Sequence, residues 1–154
     1  MNTIEFLYNL EDIDATARNV LDNLDCKTLI LYGEMGVGKT TFISALLRAM
    51  DSTDEATSPT FSIVNEYHIP NDKVFHFDFY RIESVEEAFN FGIEDYLNST
   101  HWIFIEWPDR VKELIPENAQ AISITSIDNN KRSLKLTIEN KSLTKNMAMT
   151  DTKI

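Results

Sequence analysis

The stretch Gly33-Glu34-Met35-Gly36-Val37-Gly38-Lys39-Thr40 constrains this chain more than any other. It satisfies G-x-x-x-x-G-K-[ST] at every fixed position. The run before it, Thr28-Leu29-Ile30-Leu31-Tyr32, is apolar and reads as a buried strand; the run after it, Thr41 to Met50, reads as a helix. Strand, glycine loop and helix in that order is the context in which backbone N–H groups turn inward and cradle phosphate oxygens. The helix beginning near Gly38 adds the positive end of its dipole. Lys39 can reach the β- and γ-phosphates, and the Thr40 hydroxyl can bind Mg²⁺. A chance match in a turn is disfavoured because motif and context agree. Residues 33–41, Thr41 included, are therefore a candidate nucleoside triphosphate site.

The chain has 154 residues, enough for one domain with a real core. The expected division is a P-loop domain over 1–138 and a polar, frayed tail over 139–154. No apolar run approaches the length of a membrane span, and the N-terminus lacks the basic and apolar regions of a signal peptide. Cys26 is the single cysteine, which rules out an intrachain disulfide and Cys-based zinc clusters. A cytoplasmic location and no membrane partner are the expectation.

Charge is unevenly spread. Residues 1–130 hold 8 Lys and Arg against 23 Asp and Glu, a net −15; residues 131–154 hold 6 against 2, a net +4. An acidic body repels nucleic acid, DNA and RNA alike, and can release few counterions by binding phosphates. If RNA is involved, a partner is expected to hold it. The basic end is either an interaction tail or, the reading we favour, a solvated last strand with a loose terminus.

Along the chain, residues 3–8 read as a first strand. Glu11 to Asn23 reads as a helix with Ile13, Ala17, Val20, Leu21 and Leu24 on one stripe. Residues 61–68 and 73–80 read as an antiparallel hairpin around Ile69-Pro70-Asn71-Asp72. Ser84-Val85-Glu86-Glu87 has the form of a capping box, opening a helix that carries Ala88 and Phe89. A second short helix is expected over Ile93 to Leu97, a strand over Trp102 to Glu106, and a short helix from Pro108 to Leu114. Two closing strands, 119–127 and 132–138, flank Asp128-Asn129-Asn130. The sum is an α/β fold of the P-loop NTPase type. Its mixed sheet has a parallel core and an antiparallel hairpin, flanked by helices.

A P-loop leaves Mg²⁺ partly coordinated, and the missing ligand is a carboxylate at the end of a neighbouring strand. Asp78 follows Val74-Phe75-His76-Phe77, and Glu106 follows Ile103-Phe104-Ile105. Both are acids delivered by an apolar strand to the carboxyl edge of the sheet, where ligands bind in open α/β folds. From spacing alone their roles stay open, and Glu106 is expected to be exposed. Ser58-Pro59-Thr60 lies where switch loops sit in P-loop NTPases, though locally it reads as well as a plain turn. His76 fits a hydrogen-bonded interior position better than a catalytic one. Arg81 can neutralise phosphate or pair with Asp78. Trp107 can pack near the nucleotide or fill core, and the remaining aromatics read as core. His68 and His101 lack metal-ligand spacing.

Taken together these segments resemble the TsaE family, also called YjeE, the ATPase component of bacterial tRNA threonylcarbamoyladenosine synthesis. The resemblance runs from about Leu10 to Leu136. It rests on the P-loop extended by Thr41, on Ser58-Pro59-Thr60-Phe61 with Glu66-Tyr67 after it, and on His76-Phe77-Asp78-Phe79-Tyr80-Arg81. Gly92-Ile93-Glu94-Asp95-Tyr96 and Ile105-Glu106-Trp107 complete it. A P-loop alone indicates only an NTPase; five motifs in this order are far more specific. Glu34 stands where the family usually has Asp, which keeps the charge.

The resemblance implies that Thr40 and Glu106 hold Mg²⁺ and that Asp78 is a functional acid in a switch-II-like position. It turns Ser58 and Thr60 into switch candidates and places Leu10 and Glu11 near the adenine. It also implies partners. TsaD with TsaB would modify adenosine 37 of tRNA, and this chain would bind ATP, join them and hydrolyse it, meeting tRNA only through the complex. Lys39, Asp78 and Glu106 are the catalytic candidates. Only Arg81 and Arg110 lie between the P-loop helix and the last strands, too few for the arginine lid of a small-molecule kinase. With no Gln placed to position water, weak activity in isolation is expected. A nucleotide-dependent adaptor without hydrolysis remains the second alternative.

Overall fold

The computed structural model describes residues 2–57 and 63–138. Its strands are β1 (Asn2–Asn9), β2 (Thr28–Tyr32), β3 (Val64–Ile69), β4 (Asp72–Asp78), β5 (Trp102–Glu106), β6 (Gln120–Ser126) and β7 (Lys131–Ile138). The helices are α1 (Ile13–Asp22), α2 (Lys39–Ala49), α3 (Val85–Asn90) and α4 (Ile93–Leu97), with 3-10 segments at Leu10–Asp12 and Pro108–Leu114. All seven strands form one sheet in the order β1-β7-β6-β2-β5-β4-β3.

β2 lies in the middle, and Leu29, Ile30 and Leu31 are all buried. That explains the unbroken apolar run, since a strand covered on both faces has no polar side. It pairs in parallel with β5 and with β6, and β5 pairs in parallel with β4. β3, β7 and β1 add antiparallel edges. After β2 the chain builds first to one side and later to the other, so the crevice for a ligand opens beyond the carboxyl end of β2.

Alternation along the strands divides the core. Leu31, Val74, Phe104 and Ile122 lie on the face that packs under α1 and α2, against Val20, Phe42 and Leu46. Phe77, Ile103 and Ile105 lie on the opposite face, against Ala88 of α3 and Ile93 of α4. With a period of two, Val74, His76 and Asp78 share the α2 face of β4. This puts a histidine and a carboxylate on the same side of the sheet as the P-loop helix.

Several sequence expectations need correction. The helix expected from Glu11 begins at Ile13, because Leu10–Asp12 forms one tighter turn. Ser84 makes no side-chain cap bond; Glu87 reaches back one residue further and accepts from the Glu83 N–H at 2.7 Å. Pro108–Leu114 is 3-10 with a break at Val111. Tyr80, Phe89 and Phe91 are exposed, not core. The hairpin turn is as expected: Pro70 precedes Asn71, which adopts φ 64°, the pattern of a type II turn. Residues 58–62 and the tail 139–154 lie outside the described residues.

At the end of the sheet away from the P-loop, Asp72 ties three segments together. It accepts from Lys27 Nζ at 3.0 Å, from the Lys73 N–H at 2.8 Å and from His101 Nδ1 at 2.6 Å. Burial pushes its carboxyl up, but the bonds from His101, Lys27 and Lys73 together outweigh this and bring it down to about 2. The folded protein therefore binds fewer protons here than the unfolded chain between about pH 4 and pH 2. The stabilisation is complete above pH 4 and is lost as pH falls to 2. Asp72→Asn is expected to cost about 1 kcal/mol at pH 7, allowing for screening by solvent, and far less near pH 2. Urea titrations at neutral and acid pH measure it.

Candidate functional site

Gly33 must be glycine for reasons of space. A Cβ there would lie 2.8 Å from Val37 Cγ1 and 3.1 Å from the Ile124 carbonyl oxygen. The loop is thus pressed against its own far limb and against β6. Gly38, at φ 113°, makes the turn into α2 in a region that side chains rarely reach. The first helical bond of α2 runs from the Phe42 N–H to the Gly38 carbonyl, 2.9 Å. The N–H groups of Lys39, Thr40 and Thr41 thus precede the helical ladder, at the positive end of the dipole.

Lys39 is buried. Its ammonium donates to the Gly33 carbonyl and lies 4.0 Å from the centroid of the Trp107 ring. Burial pushes the ammonium pKa down, while the charges of Glu106 and Asp78 pull it back up. Trp107 is therefore beside the loop. It holds φ 55°, strained for a bulky side chain, and also packs on Tyr80, with ring centroids 5.0 Å apart.

The two strand-end acids are register partners: Asp78 of β4 stands opposite Glu106 of β5, and Glu106 stands opposite Leu31 of β2, two residues before Gly33. Three carboxyl ends thus converge on α2. Asp78 is half-buried, and its Oδ1 accepts from the Tyr80 N–H at 2.9 Å. Burial holds its carboxyl above the usual range, the Tyr80 bond opposes this, and the negative charge of Glu106 adds to it. Arg81 is exposed and makes no ion pair with Asp78 among the described residues.

Glu106 is not the exposed acid expected of a strand end. It is 3% exposed, and its Oε2 sits 2.6 Å from Nε2 of His76, itself fully buried. A carboxylate so deep needs a partner. His76 supplies it from the diagonal position on the adjacent strand. His76 Nδ1 in turn lies 2.9 Å from the Tyr67 hydroxyl.

Arg132, a residue sequence reasoning missed, braces the loop from β7: its Nε donates to the Val37 carbonyl at 2.9 Å. Leu10 and Glu11 lie at this same edge. The Leu10 N–H bonds the Asn130 carbonyl at 2.9 Å, and Asn130 Nδ2 donates to Glu11 at 2.9 Å. The site therefore gathers residues 33–41, Asp78 and Glu106, with Leu10 and Glu11 alongside. Met35 stands exposed on the loop. Ser58 and Thr60 lie outside the described residues.

The donor set suits a hard cation. Thr40, in the first turn of α2, and Glu106, at the end of β5, each offer side-chain oxygen donors. Among the described residues no cluster of three or more His, Cys, Asp or Glu is arranged to hold a metal. Mg²⁺ takes one or two protein oxygens and completes its shell with phosphate and water.

The model of the family "Threonylcarbamoyl adenosine biosynthesis protein TsaE" matches residues 7–134. The chain belongs to the TsaE family. A relative from Rickettsia typhi, named tRNA threonylcarbamoyladenosine biosynthesis protein TsaE, is 34% identical over 113 residues, 73% of this chain and 78% of the relative. A Synechocystis protein of the same name is 34% identical over 121 residues, 73% and 75% of the two chains. The crystal structure of Bacillus subtilis YdiB superposes with a TM-score of 0.70 over 97% of each chain at 22% identity. That likeness establishes the mixed α/β fold with its flanking helices as the one seen in YdiB. Among the described residues no helix is long and apolar enough to cross a membrane.

Proposed function

We propose that the chain is an ATPase of tRNA threonylcarbamoyladenosine synthesis. In this reading it binds Mg·ATP on residues 33–41 and acts with TsaD and TsaB in the cytoplasm. The carrying observation is the convergence, in a member of the TsaE family, of Lys39, Asp78 and Glu106 on the mouth of one glycine loop. Backbone N–H groups ahead of α2 would take phosphate oxygens, and Lys39 would exchange the Gly33 carbonyl for the β/γ-phosphates. Thr40 and Glu106 would hold Mg²⁺, which when bound spreads the charge of the transferred phosphoryl group. Asp78 would orient the attacking water, directly or through a neighbour. Ser58 and Thr60 would be switch residues for the γ-phosphate, and Leu10 and Glu11 would lie on the adenine side. The net −15 of residues 1–130 supports leaving tRNA to the partners.

Phosphate release tests the reading. We expect slow release from the protein alone and clear stimulation on adding a TsaB–TsaD pair with tRNA. Tight ATP binding without release, even in that assembly, would make the chain a nucleotide-dependent adaptor. Transfer to an added acceptor in preference to water would make it a kinase.

A further inference from the structure

The buried polar chain behind Glu106 has a defined direction. With Glu106 ionised its oxygens can only accept, so the 2.6 Å bond requires the hydrogen on His76 Nε2. In the neutral ring, Nδ1 then carries a lone pair. Its partner at 2.9 Å is the Tyr67 hydroxyl, which has a single hydrogen to give. The Tyr67 oxygen is in turn supplied by the Thr57 N–H at 3.1 Å and by Asn65 Nδ2 at 3.4 Å. The Tyr67 hydroxyl also lies 3.1 Å from the Thr57 carbonyl and can give its hydrogen there instead. That carbonyl already accepts from Asn65 Nδ2 at 2.9 Å, so it does not need the tyrosine hydrogen. With Nε2–H facing an ionised Glu106 the donors run from Thr57 through Tyr67 and His76 to Glu106, while Asn65 Nδ2 shares its two hydrogens among the Thr57 carbonyl, Thr57 Oγ1 at 3.2 Å and Tyr67. Tyr67 is 4% exposed and His76 fully buried, so water does not readily substitute.

We infer that Tyr67 and His76 are positioning residues: the tyrosine hydroxyl, donating to Nδ1, supports the Nε2–H tautomer that an ionised Glu106 requires, and so helps to set the carboxylate for Mg²⁺. The inference rests on Glu106 being a metal ligand. It adds two residues that touch neither nucleotide nor metal. It also ties the metal site to the backbone at Thr57, on the connection between α2 and β3. Without the hydroxyl, His76 can place its hydrogen on Nδ1, and an Nε2 lone pair then faces the carboxylate. Outer partners of this kind are worth about 10- to 100-fold in metal affinity.

The test compares Tyr67→Phe, His76→Gln, His76→Asn and Glu106→Gln in the full-length protein. The readouts are ¹⁵N correlation spectra of the imidazoles and the Mg²⁺ concentration needed for ATP binding by calorimetry. The wild-type ring should carry its hydrogen on Nε2. Tyr67→Phe, which removes one oxygen, should mix the tautomers and raise the Mg²⁺ requirement about tenfold while leaving Mg²⁺-free nucleotide affinity unchanged. His76→Gln, whose amide can donate from near the Nε2 position, should stay near wild type; His76→Asn, too short to reach, should behave like Tyr67→Phe. A wild-type ring protonated on Nδ1, or a Tyr67→Phe protein with an unchanged Mg²⁺ requirement, would overturn the relay. If Glu106→Gln leaves the requirement unchanged, the metal assignment itself fails, and the relay fails with it as a device for metal binding. If Glu106→Gln raises it and the Tyr67 and His76 variants do not, only the relay fails.

Discussion

Lys39→Ala is expected to remove productive ATP binding. The lost contacts are charge-assisted bonds to phosphate, each worth about 1.5–3 kcal/mol, so affinity should fall at least about 100-fold. The surroundings increase the loss. Glu106 and Asp78 both act on the Lys39 ammonium, and without it two carboxylates face an incoming polyphosphate unopposed. No other lysine stands near the loop in sequence. The side chain is buried against Trp107, so Lys39→Met, which keeps most of the packing, is the matched control and should lose affinity equally. Calorimetry with a non-hydrolysable analogue measures both, with circular dichroism confirming the fold. Wild-type affinity in either variant would remove the loop from the nucleotide site.

Asp78→Asn is expected to separate binding from turnover. Its Oδ1 accepts from the Tyr80 N–H, a bond that the asparagine carbonyl can still make, so the turn after β4 should survive. Affinity for Mg·ATP should stay within a few-fold, because the loop, Lys39, Thr40 and Glu106 are untouched. Partner-stimulated phosphate release should fall by about 100-fold or more, the range for losing a group that handles the proton of the attacking water. Single-turnover measurements separate this from a defect in release. Unchanged stimulated turnover would make Asp78 a structural acid of the β4 turn.

What could be read from the sequence was what is encoded locally. The loop is fixed by glycines that must lie where backbone crowds or turns left, and such positions show in a single string of residues. α4 and β5 fall at their expected limits, Ile93–Leu97 and Trp102–Glu106, because Gly92 starts one and the polar Asn98-Ser99-Thr100 separates the two. The placing of Asp78 and Glu106 at the carboxyl edge followed from two similar strands ending in acids, whereas their standing directly opposite each other did not. What escaped depends on register between distant segments. Nothing near Glu106 announces that a histidine thirty positions earlier will meet it, so its burial was misjudged. Arg132 lies 95 positions from Val37, and its basic neighbourhood reads as a solvated end. The Ser84 cap failed for a smaller reason: the sequence pattern is right, but Glu87 finds the N–H of Glu83 in place of that of Ser84.

The central place of β2 bears on how the protein comes into being on the ribosome. Both neighbours of the loop-bearing strand are made long after it, β5 at 102–106 and β6 at 120–126. The first strand must wait for the last, because β1 pairs with β7 alone. Long-range pairings of this kind incur the entropy of loop closure before they are rewarded. A nascent chain that already displays the whole glycine motif therefore has no sheet on which to mount it. Glu106 is absent until β5 is synthesised, and the Arg132 brace until β7 emerges. The candidate site is thus complete only once β7 has been made, so a nucleotide bound there would be a ligand for the finished sheet and not a template for its early stages.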